Sequence, residues 1–170
     1  MREVYTTPAI VLKERPYKED SAEVSLLTQD LGRVRAVAQA AKRPGAKFAA
    51  ATQPAMTGVY VLVRGRQQWR VRGVHDLAHA CEHLSVKERA TYLRILGLCA
   101  RLMPDEQPNT KLFHLFWHLS ESLKEDIKRT ELFVVYGLLS ELGYADLSCD
   151  INNPKEITRR INEGIQAAQL

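Results

Sequence analysis

Hydrophobic and polar positions alternate in short runs along the first half of the chain, which is the pattern of β-strands with one buried face. The clearest run is Arg33–Ala38, where two arginines alternate with valine and alanine. An Asp30-Leu31-Gly32 turn precedes it, since glycine accepts the positive φ of tight turns. We predict five strands, with approximate bounds 4–12, 23–28, 33–38, 57–63 and 67–74.

In the second half, apolar residues recur at spacings of three and four, which is the period of amphipathic helices. Ser85 and Glu88 form a capping box that starts the first helix. Gly143 is a typical residue to follow a helix end, and Asn153-Pro154 is a typical helix start. We predict helices at about 86–103, 110–123 and 126–142, and a last one from 154 onward.

This change of period divides the chain into two predicted domains, a β domain at 1–76 and a helical domain at 77–170. Five closely spaced antiparallel strands commonly remove their exposed edges by closing into a small barrel. The pattern therefore predicts an α+β protein with a five-stranded barrel followed by helices. The strand pattern alone is compatible with both an OB-type barrel and an SH3-like barrel.

Composition places the chain among ordinary globular proteins, with 45% hydrophobic and 26% charged residues in 170. The start lacks the apolar stretch of a signal peptide, and no apolar run approaches the ~20 residues of a membrane span. We therefore expect a cytosolic protein. Cys81, Cys99 and Cys149 lack paired spacing, so we expect reduced cysteines, with Cys81 and Cys99 in the core, and no zinc ribbon.

Charge is distributed unevenly between the two halves. Residues 1–76 hold 13 Lys and Arg against 7 Asp and Glu, whereas the remaining residues hold 11 against 13. A basic half of this kind is a candidate surface for a polyanion such as DNA. The stretch from Arg33 to Lys47 contains no acidic residue, and its loop cations could reach phosphate oxygens.

We predict that DNA contacts the cations of that stretch and a second set around the last two strands: Arg33, Arg35, Lys42, Arg43, Lys47, Arg64, Arg66, Arg70 and Arg72. A solvated basic face without a partner is the alternative interpretation. Phe48 and Trp69 could stack on unpaired bases, although aromatic residues at such positions are more often part of a core.

The histidines offer a metal site as a further alternative. His75, His79 and His83 follow an i, i+4, i+8 spacing, and His114 and His118 form another i, i+4 pair. Neither set has the intervening glutamate of a zinc protease, so we interpret these residues as helix-face or interface histidines. Phosphate-binding and nucleophile motifs are also absent from the sequence. We therefore predict no metal, no cofactor and no catalytic residue, hence a protein that is not an enzyme.

Several segments together resemble the RecO family of bacterial recombination and repair proteins. They are Ala9–Lys13, Tyr17–Ser21, Ser25–Thr28, Leu31–Ala38, Ala41–Pro44, Gln53-Pro54, Val61–Arg66, Met103–Asn109 and Leu138–Tyr144. The resemblance covers roughly residues 1 to 150 and implies an N-terminal OB domain with a helical C-terminal domain. This chain departs from the family in one place, because family members commonly carry four zinc-binding cysteines where this chain has only Cys149.

The resemblance also implies a function. RecO proteins are bacterial, nucleoid-associated proteins of the RecFOR pathway that bind single- and double-stranded DNA, anneal complementary strands and help to load recombinase onto strands coated by single-strand-binding protein (SSB). The implied partners are RecR and the acidic C-terminal tail of SSB. The cations expected near a tail site in the helical half are Arg94, Arg101, Lys128 and Arg129. The alternative is an OB-fold scaffold that binds proteins and not DNA.

Overall fold

The structure is a computed structural model, which describes residues 3–43, 45, 46, 48–145 and 153–168. The described residues form two compact units. The first comprises Met1–His83 and Pro104–Phe113, and the second comprises Leu84–Met103 and His114–Leu170. We predicted two domains that meet at residue 76. Whether these domains fold independently is not decided by the two units, so the boundary stays a prediction.

Five strands close into a barrel in the first unit. They are β1 (Val4–Tyr17), β2 (Ser21–Thr28), β3 (Gly32–Ala38), β4 (Met56–Arg64) and β5 (Trp69–His79). Their order around the barrel is β1-β2-β3-β5-β4, and β4 pairs back with β1. All pairs are antiparallel except β3 with β5. The prediction of an OB-type barrel is confirmed, and the SH3-like alternative is not.

Alternate residues of the strands fill the barrel, as the binary pattern requires. Val34, Ala36 and Ala38 of β3 are buried in one core with Val24, Leu26 and other strand residues. The predicted turn before β3 is confirmed, because Gly32 has a φ of 72°. Tyr60 of β4 is fully buried in the same core.

Two strands are longer than predicted. β1 continues to Tyr17 and β5 continues to His79, and both have register shifts where an extra residue bulges from the ladder. In β5, Asp76 has a φ of 51° at one of these shifts. A bulge interrupts strict alternation, so the period-two pattern ends in the sequence before the strand ends in the structure.

The second unit consists of packed helices. The helices of the chain are α1 (Val86–Leu102), α2 (Thr110–Trp117), α3 (Leu119–Glu125), α4 (Ile127–Glu141) and α5 (Pro154–Ala167). Helix α4 packs against α1, α3 and α5. The predicted single helix at 110–123 is two helices that separate at His118. The apolar spacing of three and four continues across this break, so periodicity could not reveal it.

The predicted helix ends are confirmed by local hydrogen bonds. The Ser85 backbone N–H donates to Glu88 Oε2 at 2.7 Å, and the Glu88 backbone N–H donates to Ser85 Oγ. The first of these bonds lowers the pKa of Glu88 from its ordinary value. The Asn153 side chain accepts from the first turn of α5, and Gly143 follows α4 with a φ of 79°.

Replacement of Ser85 by alanine should lower the free energy of unfolding by about 1 kcal/mol, because the first turn of α1 loses its side-chain acceptor. Ser85→Asp is the matched control and should stay near the wild-type value, because aspartate also caps helices. Urea unfolding followed by circular dichroism measures both. Equal losses in the two variants would contradict a capping role.

Candidate nucleic-acid interface

Strand β3 presents its two arginines on the outside of the barrel. Arg33 and Arg35 alternate with buried Val34 and Ala36, as the sequence predicted. Arg35 lies directly opposite Ser25 of β2, and Ser25 lies opposite Lys13 of β1. Directly opposite residues on neighbouring strands point to the same face of a sheet. Lys13 and Arg35 therefore belong to one outer face.

The neighbouring cross-strand row carries further cations. It runs from Arg15 of β1 through Glu23 and Val37 to Arg70 of β5. Arg70 and Arg72 are exposed on either side of buried Val71, as their alternation predicted. Cations of three strands thus share the outer face that β1, β2, β3 and β5 form. In OB folds this side of β2 and β3, with the adjoining loops, is where oligonucleotides bind.

The stretch that lacks acids in sequence does not lack them in space. Asp105 binds both Arg33, at 2.8 Å, and Arg35, at 2.5 Å. Lys42 forms an ion pair with Glu14, and Arg43 lies 2.8 Å from Asp20. The absence of acids within the stretch therefore does not extend to its surroundings, because all three acids come from other parts of the chain. Their contact with DNA stays a prediction, and Lys47 lies outside the described residues.

The second predicted set of cations, around β4 and β5, forms fewer ion pairs with acids. Arg64 lies 3.1 Å from Glu106 and 5.3 Å from the centre of the Trp69 ring. Arg66, Arg70 and Arg72 are exposed, and no ion pair joins them to an acid in the part of the chain that the structure describes. We call these three the unpaired arginines. Arg66 lies in the turn between β4 and β5, where the Gly65 backbone N–H donates to the Gln68 carbonyl.

An open groove of about 1120 Å³ adjoins this turn. Arg64, Arg66 and Arg70 line it together with Glu3, Val63 and the Gly65–Gln68 turn. Guanidinium groups bind phosphate through paired N–H donors, and their charge does not depend on pH in the physiological range. The groove is therefore suited to a phosphate backbone.

The two aromatic candidates differ in burial, since Trp69 is buried and Phe48 is partly buried. Trp69 is 5% exposed and lies in the barrel core, where its ring packs edge-on against Tyr5. Its Nε1 donates to Glu106 Oε1 at 2.9 Å. Phe48 packs against the same core. Trp69 is therefore a core residue, whereas stacking of Phe48 on a base stays a prediction.

Sequence reasoning missed Lys13 and Arg15 because it ended β1 at Leu12. Arg15 lies 2.7 Å from Glu23, and this carboxylate raises the pKa of the guanidinium. The Lys13-Glu14-Arg15 alternation was the available signal for a longer strand. Asp105 and Glu106 were also missed, and no local pattern could have placed them beside β3, since about seventy residues separate the two segments.

The cations predicted in the helical half lie in the second unit. Arg94 binds Glu131 at 2.5 Å, and Arg129 lies 5.5 Å from the centre of the Phe133 ring. Arg101 and Lys128 are exposed. A peptide site at these residues stays a prediction.

The helix-face interpretation of His75, His79 and His83 was wrong. The first two belong to strand β5, and His83 lies in the turn that follows. His118 lies at the break between α2 and α3, 3.5 Å from Glu121. Among the described residues, no group of three or more His, Cys, Asp or Glu side chains is placed to hold a metal ion.

The predicted core positions of two cysteines are confirmed, because Cys81 and Cys99 are both buried. Cys149 lies outside the described residues. In the described part of the chain, no helix combines the length and the apolar character that crossing a membrane requires.

Barrel order, strand directions and outward cations together define an OB-type domain with a basic outer face, followed by helices. Residues 1–75 match the family described as "Recombination protein O N terminal". The chain is 32% identical to the DNA repair protein RecO of Pseudomonas entomophila over 171 residues, which cover 96% of this chain and 73% of that protein. This chain belongs to the RecO family.

Other relatives are longer than this chain. The DNA repair protein RecO of Caldanaerobacter subterraneus subsp. tengcongensis is 30% identical over 160 residues, which cover 88% of this chain and 63% of the relative. The protein of the same name from Heliobacterium modesticaldum is 30% identical over 161 residues, with 91% and 58% covered. The chain thus spans less than two thirds of the length of both.

Proposed function

We propose that this chain acts in DNA repair and recombination by binding single- and double-stranded DNA through the outer face of its barrel. The observation that carries the proposal is the set of unpaired arginines at the turn and strand beside the groove. Membership of the RecO family supports the same role, because its named members are DNA repair proteins. The proposed mechanism is physical rather than covalent.

Annealing of complementary strands follows from such a surface. Two strands repel each other through their phosphates, and a cationic face that neutralises part of this charge lowers the repulsion. Each phosphate that a cation neutralises also releases condensed counterions, which makes binding favourable and dependent on salt. Arg66, Arg70 and Arg72 are the first candidates for these contacts, since phosphates need not displace an ion pair to reach them.

The family resemblance extends the proposal to partners. We propose that the chain helps to load recombinase onto DNA coated by SSB, with RecR and the acidic C-terminal tail of SSB as partners. The tail would meet the cations of the helical unit, and Arg94, Arg101, Lys128 and Arg129 are all exposed. Neither this binding nor the annealing requires a metal or a cofactor.

The DNA-binding proposal is tested by replacing the three unpaired arginines with alanine. We expect the triple variant to bind a labelled single-stranded oligothymidylate at least about tenfold more weakly than the wild type, because up to three phosphate contacts are lost. The plot of log K against log salt should become shallower by about 2, since each contact on a single strand contributes about 0.7. Fluorescence anisotropy at several salt concentrations measures both quantities.

A charge-matched control replaces exposed lysines on three helices, namely Lys87, Lys124 and Lys155, with alanine. This control removes the same net charge and should change affinity by less than about twofold if contacts rather than overall charge determine binding. Equal losses in both triple variants would contradict a site at the unpaired arginines. Absence of saturable DNA binding by the wild type, together with binding to RecR, would favour the protein scaffold instead.

A further inference from the structure

The segment that follows α1 lies against an open edge of the barrel. Strand β3 pairs with β5 only at Ala36 and Val37, so the edge of its first half is not covered by β5. The backbone N–H of Glu106 donates to the Arg33 carbonyl at 2.8 Å, and Arg33 and Asp105 form a parallel bridge. Residues 104–113 belong to the same compact unit as the barrel.

Two carboxylates of this segment bind cations that we predict to contact DNA. Asp105 lies within 2.8 Å of Arg33 and 2.5 Å of Arg35. Glu106 contacts Arg64 through one oxygen, at 3.1 Å, and accepts from Trp69 Nε1 through the other, at 2.9 Å. Two adjacent acids therefore form ion pairs with three of the cations on the proposed DNA-binding surface. We call Asp105 and Glu106 the acidic plug.

Carboxylate and phosphate compete for the same guanidinium donors. The Arg33 side chain is only 16% exposed, whereas Arg35 and Arg64 are more than half exposed. A DNA phosphate cannot take the Asp105 position on Arg33 while that carboxylate is present. The plug and a bound phosphate backbone are thus mutually exclusive at this part of the surface.

We propose that the acidic plug is an autoinhibitory element that DNA must displace to reach Arg33, Arg35 and Arg64. This inference rests on the proposed function. Phosphates first meet the unpaired arginines, and neighbouring phosphates of the same strand then compete with the plug at a high effective concentration. Binding thereby proceeds from a weak state, with the plug in place, to a tight state in which the plug is released.

The plug has features that permit such release. The ion pairs of the plug with Arg35 and Arg64 are weak, because these cations are more than half exposed and water and salt screen them. Glu106 also has a φ of 56°, a left-handed conformation that is unfavourable for a residue with a Cβ. Its contacts with Arg33, Arg64 and Trp69 must therefore hold it in place. Release of Glu106, with a phosphate in its place on Arg64, relieves that constraint.

The test removes the plug charge without changing its shape. The double variant Asp105→Asn/Glu106→Gln keeps an oxygen acceptor at both positions. The control Glu19→Gln/Asp30→Asn makes the same charge change at two exposed acids of the barrel unit, which form no ion pair with a predicted DNA-binding cation in the described structure. We expect the plug variant to bind oligothymidylate about tenfold more tightly than the wild type and the control to change by less than about twofold.

Two further readouts separate displacement from a general charge effect. The salt dependence of the plug variant should be steeper by up to about 2 in log K against log salt, because three more cations reach phosphates. In the wild type, hydrogen exchange of the Glu106 amide should become faster on saturation with oligothymidylate, since its bond to Arg33 is broken. Unchanged or slower exchange overturns the proposal.

The outcomes also separate the plug from the proposed function. If replacement of the unpaired arginines weakens binding but the plug variant matches its control, the plug is overturned and the DNA-binding site stands. If neither the wild type nor the plug variant binds DNA, both proposals are overturned. Binding by the plug variant alone supports the plug most strongly.

Discussion

Replacement of Gly32 by alanine should lower the free energy of unfolding by at least about 2 kcal/mol. Gly32 has a φ of 72°, which places an alanine Cβ against its own carbonyl oxygen. A Cβ at this position would also coincide with the backbone carbonyl of Gln107. Since a backbone atom cannot rotate aside, either the turn or the segment after α1 must move.

Two other glycines separate these effects. Gly143 has a φ of 79° but, among the described residues, no neighbour that a Cβ would meet, so Gly143→Ala should lower the free energy of unfolding by about 1 kcal/mol. Gly97 lies in α1 with open space around it, so Gly97→Ala should raise it by about 0.5–1 kcal/mol. Urea unfolding of the three variants gives the comparison. Equal losses at Gly32 and Gly143 would show that the Gln107 contact contributes nothing.

The same substitution connects stability to the plug. Movement of Gln107 in Gly32→Ala should carry Glu106 away from Arg64 and Trp69, because the two residues are adjacent. The variant should therefore be less stable and yet bind DNA more tightly, provided that binding is measured below its unfolding temperature. A parallel loss of stability and affinity would indicate that the turn supports the DNA-binding surface itself.

Alkaline pH should destabilise the protein through Tyr60. The Tyr60 ring is fully buried, and its hydroxyl donates to the Ala51 carbonyl at 2.7 Å. Burial raises the pKa of Tyr60 well above its ordinary value of 10.0. In the unfolded chain the phenol ionises near pH 10, whereas in the folded protein it stays protonated. Its contribution to stability is therefore complete below pH 10 and is lost as the pH rises further.

Above pH 10, the free energy of unfolding should fall by up to about 1.4 kcal/mol per pH unit, because Tyr60 takes up one proton when the chain folds. Tyr60→Phe lacks this proton. It should be less stable by about 1 kcal/mol at pH 7, because the Ala51 carbonyl loses its donor, and the gap should close as the pH rises above 10. Free energies of unfolding at a series of pH values check this, and parallel curves for the two proteins would contradict it.

Local features of this chain could be predicted because their causes are local. The Ser85 capping box, the Asn153-Pro154 helix start and the positive φ of Gly32 and Gly143 each depend on a few consecutive residues. The alternation in β3 placed its arginines outside because residues at even spacing share one face of a strand. Closure of the five strands into an OB-type barrel followed from their number and length together with the family resemblance.

The failures have a different physical origin. The stretch from Arg33 to Lys47 contains no acid in sequence, yet the structure pairs four of its cations with Glu14, Asp20 and Asp105. Charges interact through space, so an acid distant in sequence neutralises a cation as well as a neighbouring acid does. The bulges of β1 and β5 likewise depend on cross-strand pairing and interrupt the alternation of the sequence. For this reason the predicted β1 ended before Lys13 and Arg15, and the histidines of β5 were interpreted as residues of a helix.

The sequence by itself therefore determined most of the elements, the caps and the outward direction of the arginines, because these follow from short-range spacing, and its resemblance to known proteins indicated the family. Only the tertiary structure decided which cations are paired, which remain open to a phosphate backbone, and that Asp105 and Glu106 lie on the edge of β3. Folding brings residues some seventy positions apart into contact, and no local pattern records that contact.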